Sequence, residues 1–294
     1  MRVCLITLGC KINQYESNQI AREYSDKGYE IVHKFIEDAD VYIVNTCQVT
    51  ATAEKKSRNT VSRVKRAAGD KQVIVCGCAG DRGVNESLTC HAIQPRSRAF
   101  IKVQDGCDNF CSYCIVPYLR GRSRSRSISN IIAEVKSANK PMVISGIDLS
   151  SYGLDIGTDL RELCIEIDKC DLPFELSSIE VGIITEEFLK ALKYCKNFVP
   201  KFHVPLQSGS DRVLKDMNRK YTSMGYLAAI DLIREYFPSA ILSADVIVGY
   251  TTETPEDLKQ TFDLIEQVGF AHVHKFPYSD RQLHRFKGGS NENN

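Results

Sequence analysis

Residues Cys107-Asp108-Asn109-Phe110-Cys111-Ser112-Tyr113-Cys114 put three cysteines into eight positions, at C-x3-C-x2-C spacing. Thiolates prefer soft metals, and closely spaced cysteines on one loop can ligate neighbouring irons of a single cluster. Three ligands are one short of the four irons of a [4Fe–4S] cube, so one iron stays open for a substrate or cofactor. Zinc knuckles usually read C-x2-C twice, and no second pair lies near. The bland alternative is three small buried apolar residues.

The rest of the chain must supply a place for that loop. At 294 residues it can hold one large or two ordinary domains. Hydrophobic residues make up 43% and charged residues 26%, the balance of a soluble globular protein. A formal charge of +1 means that any basic footprint for nucleic acid must be local. Twelve cysteines are many for this length. No secretory leader is expected, because the apolar run from Val3 to Leu8 is short and ends in Gly9-Cys10. No run of about 18 apolar residues would span a membrane. Many cysteines without an export signal point to a reducing, cytoplasmic setting and to metal work, not disulfides.

Residues 1 to about 80 alternate strand and helix patterns. Val3–Leu8, Tyr29–His33, Asp40–Asn45 and Gln72–Cys76 read as strands. Asn13–Asp26 and the charged segment Thr52–Ala67 read as helices. Short connections predict a parallel, flavodoxin- or Rossmann-like sheet. Three strands run into cysteine: Gly9-Cys10, Asn45-Thr46-Cys47 and Gly77-Cys78. Ligands of open parallel sheets bind beyond the strands' carboxyl ends, so Cys10, Cys47 and Cys78 can converge there as a second three-cysteine site. Cys76 is a rival to Cys78, two residues away on the same face. Cys4 reads as a buried small residue. The polar, weakly patterned stretch 81–100, with Cys90 and His91, reads as a linker.

From Ala99 onward six β-type runs recur: Phe100–Val103, Pro141–Ser145, Phe174–Ser178, Phe202–Leu206, Ile241–Val248 and His272–Phe276. Helical patterns lie between them at Ile128–Ala138, Glu186–Tyr194, Asp211–Met217, Met224–Tyr236 and Pro255–Val268. Repeated βα units of this spacing predict a six-stranded partial version of the eight-stranded TIM barrel, with its chemistry at the strands' carboxyl ends. The fold class expected is therefore α/β throughout. Domains are expected at 1–97 and 98–286, with a polar tail at 287–294. Arg120, Arg122, Arg124 and Arg126 follow the cysteine loop as four arginines in seven residues, a plausible phosphate contact or a solvated loop.

Together the two cysteine sets resemble the methylthiotransferases of the radical S-adenosylmethionine (SAM) superfamily. Thr7-Leu8-Gly9-Cys10-Lys11-Ile12-Asn13-Gln14-Tyr15-Glu16-Ser17 is similar to the family's opening motif. Asn45-Thr46-Cys47 and Gly77-Cys78 resemble its next two cluster ligands. Residues 104–118 resemble its SAM-cleaving loop, with Tyr113 before the last cysteine. His203-Val204-Pro205-Leu206-Gln207-Ser208-Gly209-Ser210 and Asp245-Val246-Ile247-Val248-Gly249 are further family phrases. The opening motif and Asn218-Arg219-Lys220-Tyr221-Thr222 look most like the branch acting on N6-threonylcarbamoyladenosine at position 37 of tRNA.

The resemblance implies two [4Fe–4S] clusters and SAM as cofactors. Cys107, Cys111 and Cys114 would hold the cluster whose open iron takes the amino and carboxylate groups of SAM, and whose electron yields a 5′-deoxyadenosyl radical. That radical would remove hydrogen from C2 of the target adenine. Cys10, Cys47 and Cys78 would hold an auxiliary cluster that brings sulfur, and a second SAM would methylate it. Tyr113, Ser145, Gly146, Gln207, Ser208, Asp245 and Gly249 are the expected SAM contacts. The implied partners are tRNA and a one-electron reductant such as flavodoxin or ferredoxin, for a monomer that touches no membrane. The alternatives are a methylthiotransferase acting on an aspartate of a ribosomal protein, and a shortened iron–sulfur protein without turnover.

Three departures from the family pattern stand out. The gap from Cys78 to Cys107 is short, as though a final strand and helix of the first domain were absent. The family's carboxy-terminal RNA-binding β-barrel is not expected here, which leaves RNA affinity to the arginine run, Lys215, Arg219 and Lys220. Gly249–Thr254 lacks the usual Pro-Gly turn, and Glu175 stands where the family favours arginine.

Overall fold

Residues 1–79 and 97–281 are described by the computed structural model. Residues 81–96 of the expected linker, with Cys90 and His91, and the tail 287–294 lie outside them, while the linker's last residues, from Ala99, already belong to a strand. The first half is built from β1 (Arg2–Thr7), α1 (Lys11–Asp26), β2 (Glu30–Val32), β3 (Val41–Thr46), α2 (Ala51–Ala68) and β4 (Gln72–Gly77). All four strands are parallel, in the order β2-β1-β3-β4. Central β3 is buried at every residue, which is why it reads as a continuous apolar run. Alternate side chains feed two cores. Val3, Leu5 and Ile43 pack with Ile20 and Ala21 of α1, while Cys4, Tyr42 and Val44 pack with Val64 and Ala68 of α2.

The second half continues with β5 (Ala99–Lys102), β6 (Gln104–Asp105), α3 (Val116–Arg120), β7 (Arg124–Ser125), α4 (Ile128–Ala138), β8 (Met142–Ser145) and α5 (Leu160–Asp168). Then follow β9 (Phe174–Leu176), α6 (Glu186–Tyr194), β10 (Lys201–His203), α7 (Asp211–Asp216), α8 (Ser223–Tyr236), β11 (Ile241–Val248), α9 (Pro255–Val268) and β12 (His272–Pro277). Strands β5-β8-β9 and β10-β11-β12 form two parallel sheets. Parallel bridges Phe174–Phe198 and Ser178–His203 join them, so six major strands follow one another in chain order. Their helices share one core: Ile101, Ile144, Phe202 and Ala244 from strands meet Val135, Leu163, Phe188, Ile233 and Leu264 from helices.

Helix α5 and the small antiparallel pair β6-β7 were not anticipated. Leu160, Leu163, Cys164 and Ile167 are nonetheless spaced for one helical face and are all buried, and Asp159 caps the helix by accepting from the backbone of Arg161 and Glu162.

The two halves meet across α1. Tyr15 packs with Phe100 and Val143. Its hydroxyl donates to Glu134 at 2.9 Å and accepts from Arg126 at 2.9 Å. Beside it, the Glu16 carboxylate, 1% exposed, takes Lys102 at 3.0 Å and Arg120 at 2.8 Å. Asp105 completes this network, 2.6 Å from Lys102 and 3.1 Å from Arg120. Two cations and two carboxylates are thus mutually satisfied where either pair alone would be costly to bury. At the first turn of α2, Ala51 N donates to Ser279 Oγ at 2.9 Å, and Arg281 pairs with Glu54 at 2.8 Å.

Candidate functional site

The carboxyl ends of β1, β3 and β4 carry Cys10, Cys47 and Cys78, and the structure brings these together. Gly9 turns the chain out of β1 at φ +103°, where a Cβ would stand 2.7 Å from that of Cys47. Only glycine lets the two cysteine segments approach so closely. The Cys47 and Cys78 thiols share a hydrogen bond, and Cys10 adds to the charge felt at Cys47. That hydrogen bond, helped by the nearby Arg120 guanidinium, draws Cys78 down to about 6 against the upward push of burial. The Cys47 thiol moves up, for the same hydrogen bond and for burial. Cys76 instead packs in the apolar core with Val3 and Leu5, and burial pushes it up to about 12.

Residues of the opening motif hold this edge. Asn13 Nδ2 donates to Asn45 Oδ1 and to Thr46 O, both at 2.8 Å, while the Cys10 thiol donates to Asn13 Oδ1 at 3.3 Å. Asn45 Nδ2 donates in turn to Asn13 O and to Ser17 Oγ. Ser57 of α2 clamps Cys47 by accepting from its N–H and donating to its carbonyl. Sequence reasoning quoted Asn13, Tyr15, Glu16 and Asn45 but gave them no role. For the three on α1 the signal was polar side chains at helical spacing on a face that must be buried, and for Asn45 a polar residue ending an apolar strand.

In the second half, the loop Cys107–Cys114 lies against the end of α7. Ser112 N donates to Met217 O at 3.0 Å, and Asn218 Nδ2 donates to Phe110 O at 3.1 Å. Two donors already point at the sulfurs: Asn109 N at 3.4 Å from Cys107 Sγ, and Arg219 Nη1 at 3.2 Å from Cys111 Sγ. Arg219 also pairs with Glu180 and lies over the Tyr221 ring, 5.0 Å from its centroid. Burial pushes Cys107 up to about 12 and Cys114 up to about 11, with the neighbouring thiols adding to each shift. A cleft of about 500 Å³ opens here, with Asn109, Cys111, Glu180, Asn218 and Arg219 in its walls.

The expected SAM contacts fall into two groups. Ser145 is 2% exposed at the end of β8 and its hydroxyl has no partner; the Ser177 hydroxyl beyond β9 and Asp148 Oδ1 are likewise buried and unpartnered. Such orphaned groups at strand ends call for a polar ligand or water. Asp245 Oδ1 is 3.1 Å from His203 Nε2, whose Nδ1 is 2.8 Å from Ser178 Oγ. Gln207 adopts φ +61° and exchanges backbone bonds with β11. Tyr113 packs beside Val213, Met217 and Tyr250. The remaining three are taken up by the fold. The Ser208 hydroxyl meets Thr261 Oγ1 at 3.3 Å and accepts from Ser210 N, the space beside Gly146 is filled by Gln104, and Gly249 N donates to Glu253 Oε2.

The arginine run is not a uniform surface. Arg120 is 5% exposed and committed to Glu16 and Asp105; Arg126 holds Glu134 at 2.7 Å. Arg122 is exposed and pairs with Asp108 at 2.9 Å, and Arg124 is exposed and donates to the carbonyls of Arg120 and Arg122. Arg219, at 4% exposure, faces Cys111. Lys215 and Lys220 are exposed. Glu175, the charge reversal, is satisfied by Arg98 and Lys201, each at 2.9 Å.

Among the described residues, no three thiol, imidazole or carboxylate side chains close around a single metal ion. A cube takes one thiolate per iron, so its ligands stand wider apart than those of one ion. Thiols that influence one another, donors aimed at sulfur and orphaned hydroxyls nearby form a donor set that fits an iron–sulfur cluster with a polar co-ligand. No helix among the described residues is long and apolar enough to cross a membrane.

Comparison with known proteins identifies the family and the fold. The profile "Radical SAM superfamily" matches residues 101–265, and "Uncharacterized protein family UPF0004" matches residues 2–93. The chain is 37% identical to the threonylcarbamoyladenosine tRNA methylthiotransferase MtaB of Chlamydia pneumoniae, over 95% of this chain and 75% of that protein. It is 32% identical to MtaB of Aquifex aeolicus, over 96% of this chain and 81% of that one. The ribosomal protein uS12 methylthiotransferase RimO of Clostridioides difficile is 32% identical, over 95% of this chain and 75% of that protein. In fold, the chain is similar to the radical SAM methyltransferase TsrM of Kitasatospora setae, solved with cobalamin and a [4Fe–4S] cluster. The TM-score is 0.70 at 14% identity, covering 96% of this chain and 77% of that one.

Proposed function

The chain belongs to the radical SAM superfamily and, within it, to the methylthiotransferases, and we propose that it adds a methylthio group to C2 of N6-threonylcarbamoyladenosine at position 37 of tRNA. The observation that carries this reading is the pairing of two three-cysteine edges across one buried junction. A hydrogen-abstracting site alone would need only the second edge. Residues 98–286 would then serve the radical step, their six strands acting as a partial barrel, and residues 1–97 the sulfur step.

When bound at Cys107, Cys111 and Cys114, a [4Fe–4S] cluster supplies the electron that reductively cleaves SAM. The chain's own residues position and shield. Asn109 N–H and the Arg219 guanidinium donate to the Cys107 and Cys111 sulfurs, which orients these ligands. The free hydroxyls of Ser145 and Ser177 and the Asp148 carboxyl offer hydrogen bonds to the amino and carboxylate groups of SAM, while Asp245 lies within β11 and Gln207 beyond β10, bridged to Val246. On the first edge, Cys10, Cys47 and Cys78 would hold the auxiliary cluster. Asn13, Asn45 and Ser57 fix the loops that carry them. A soluble one-electron donor of the flavodoxin or ferredoxin class would reduce the second edge.

The test is mass spectrometry of nucleosides after anaerobic reconstitution with iron and sulfide, SAM, a reductant and tRNA carrying the threonylcarbamoyl group. The expected product is the 2-methylthio nucleoside, absent with Cys107→Ala. In a parallel reaction with ribosomal protein, read by mass spectrometry of its peptides, methylthiolation of an aspartate with tRNA unchanged would replace this reading by that of the protein-modifying branch.

A further inference from the structure

Helix α2 carries Lys55, Lys56, Arg58, Arg63, Lys65 and Arg66 against the single carboxylate Glu54, a net of +5 in a protein whose formal charge is +1. All six cations are exposed. The buried side of the helix is narrow, comprising Ser57, Val64 and Ala68. Spacings of i+4, i+8 and i+11 from Lys55, or i+3, i+7 and i+10 from Lys56, lay Asn59, Arg63 and Arg66 along one outward stripe about 16 Å long. Among the described residues no carboxylate lies within ion-pair distance of Lys55, Lys56, Arg63, Lys65 or Arg66, and the Arg58–Glu54 contact is a loose 3.9 Å. A groove of about 450 Å³ runs along the stripe, with Thr52, Lys55, Lys56, Asn59, Arg63 and Arg66 in its walls.

We propose that this face of α2 is the docking surface for the phosphate backbone of the tRNA, an inference that rests on the tRNA reading above and adds where the substrate is held. Cations without a carboxylate partner, interleaved with hydroxyl and amide side chains, are what phosphate oxygens require, and Arg63 is held in place over the Phe35 ring, 4.9 Å from its centroid. A protein partner would ask instead for aromatic or large aliphatic anchors, and the stripe from Lys55 to Arg66 has none. The placement suits the reaction. The opposite side of the same helix holds Cys47 through Ser57, and its first turn meets Ser279 and Arg281 of the second half. A strand tracked along α2 is therefore led to the junction between the two cysteine edges. The arginine run at 120–126, the more conspicuous basic signal in the sequence, contributes less, because Arg120 and Arg126 neutralise buried carboxylates.

The experiment compares binding of tRNA carrying N6-threonylcarbamoyladenosine to the reconstituted full chain and to its Lys55→Gln/Lys56→Gln/Arg66→Gln variant, between about 50 and 200 mM salt. Each phosphate contact contributes about 0.7–0.9 to the slope of log affinity against log salt, so the variant's slope should fall by about 2–3. Without tRNA, the variant should hold the wild-type iron content of about eight per chain and cleave SAM at the wild-type rate, showing that both halves are folded and loaded. An Arg122→Gln/Arg124→Gln variant should keep the wild-type slope. A wild-type slope in the α2 variant overturns the inference; if turnover falls all the same, the face belongs to an acidic protein partner instead. Wild-type protein that binds no tRNA overturns both this inference and the reading beneath it.

Discussion

Glu16 shows what one side chain can decide. Its carboxylate is almost fully buried and holds Lys102 of β5 and Arg120 of α3, so it neutralises two cations of the other half of the molecule. Removing one partner from a buried ion network leaves the others charged and dry, which costs about 3–5 kcal/mol. Glu16→Ala is expected to lower the guanidinium unfolding free energy by that amount, and Glu16→Gln, of the same shape but uncharged, by nearly as much. A loss below about 1 kcal/mol would show that water reaches the site. Asp257 makes a different case at the same scale. Its carboxylate accepts from Arg212, Ser210 and Thr254, and these hydrogen bonds hold its pKa below the ordinary aspartate range. A depressed folded-state value means stability that is present above the unfolded-state value near 4 and lost as the pH falls through the folded one. Asp257→Asn should therefore lower the melting temperature at pH 7 and narrow its gap from wild type at pH 3; an equal gap at both would contradict this.

At the level of elements, the turns that follow strands carry the chemistry. Gly9 sits between β1 and α1 at a backbone angle that disfavours any side chain, with Cys47 in the way of a Cβ. Gly9→Ala should lower the iron of reconstituted protein from about eight to about four per chain while leaving SAM cleavage intact, measured by iron assay and 5′-deoxyadenosine. Undiminished iron would mean that the Cys10 loop tolerates displacement. These turns were legible in the sequence because strand runs such as Asp40–Asn45 and Gln72–Cys76 are short, apolar and bounded by glycine or polar residues. The strands at β3, β4, β8 and β11 and the helices at α4, α6 and α9 follow their sequence patterns closely. What the sequence did not reveal has identifiable causes. Helix α5 has a proper cap and apolar face but is short and follows a loop rich in small residues. The pairing of Arg120 and Arg126 with Glu16 and Glu134 joins residues more than a hundred positions apart or on a different element, and charge runs say nothing about distant carboxylates. Asn218 stood out only as part of a motif, and Arg219 also as a candidate RNA contact, a role that its 4% exposure does not fit. Their work, clamping the Cys107–Cys114 loop and facing Cys111, needs the fold to bring α7 against it.

Across the whole molecule, two parallel-sheet halves each present a cysteine edge, and α1 ties them together through Tyr15 and Glu16. The radical half keeps a cleft, sulfur-directed donors and unpartnered hydroxyls. The first half sets three thiols beside a glycine turn and backs one of them with a basic helix. Such an arrangement implies divided labour between the two edges. The direct test is one reaction carried out with wild type and with Cys47→Ala, both reconstituted, in which 5′-deoxyadenosine and the 2-methylthio nucleoside are quantified together. The account predicts that Cys47→Ala still forms 5′-deoxyadenosine at the wild-type rate and makes no methylthio product. Methylthio product from Cys47→Ala, or loss of both products together, would contradict it.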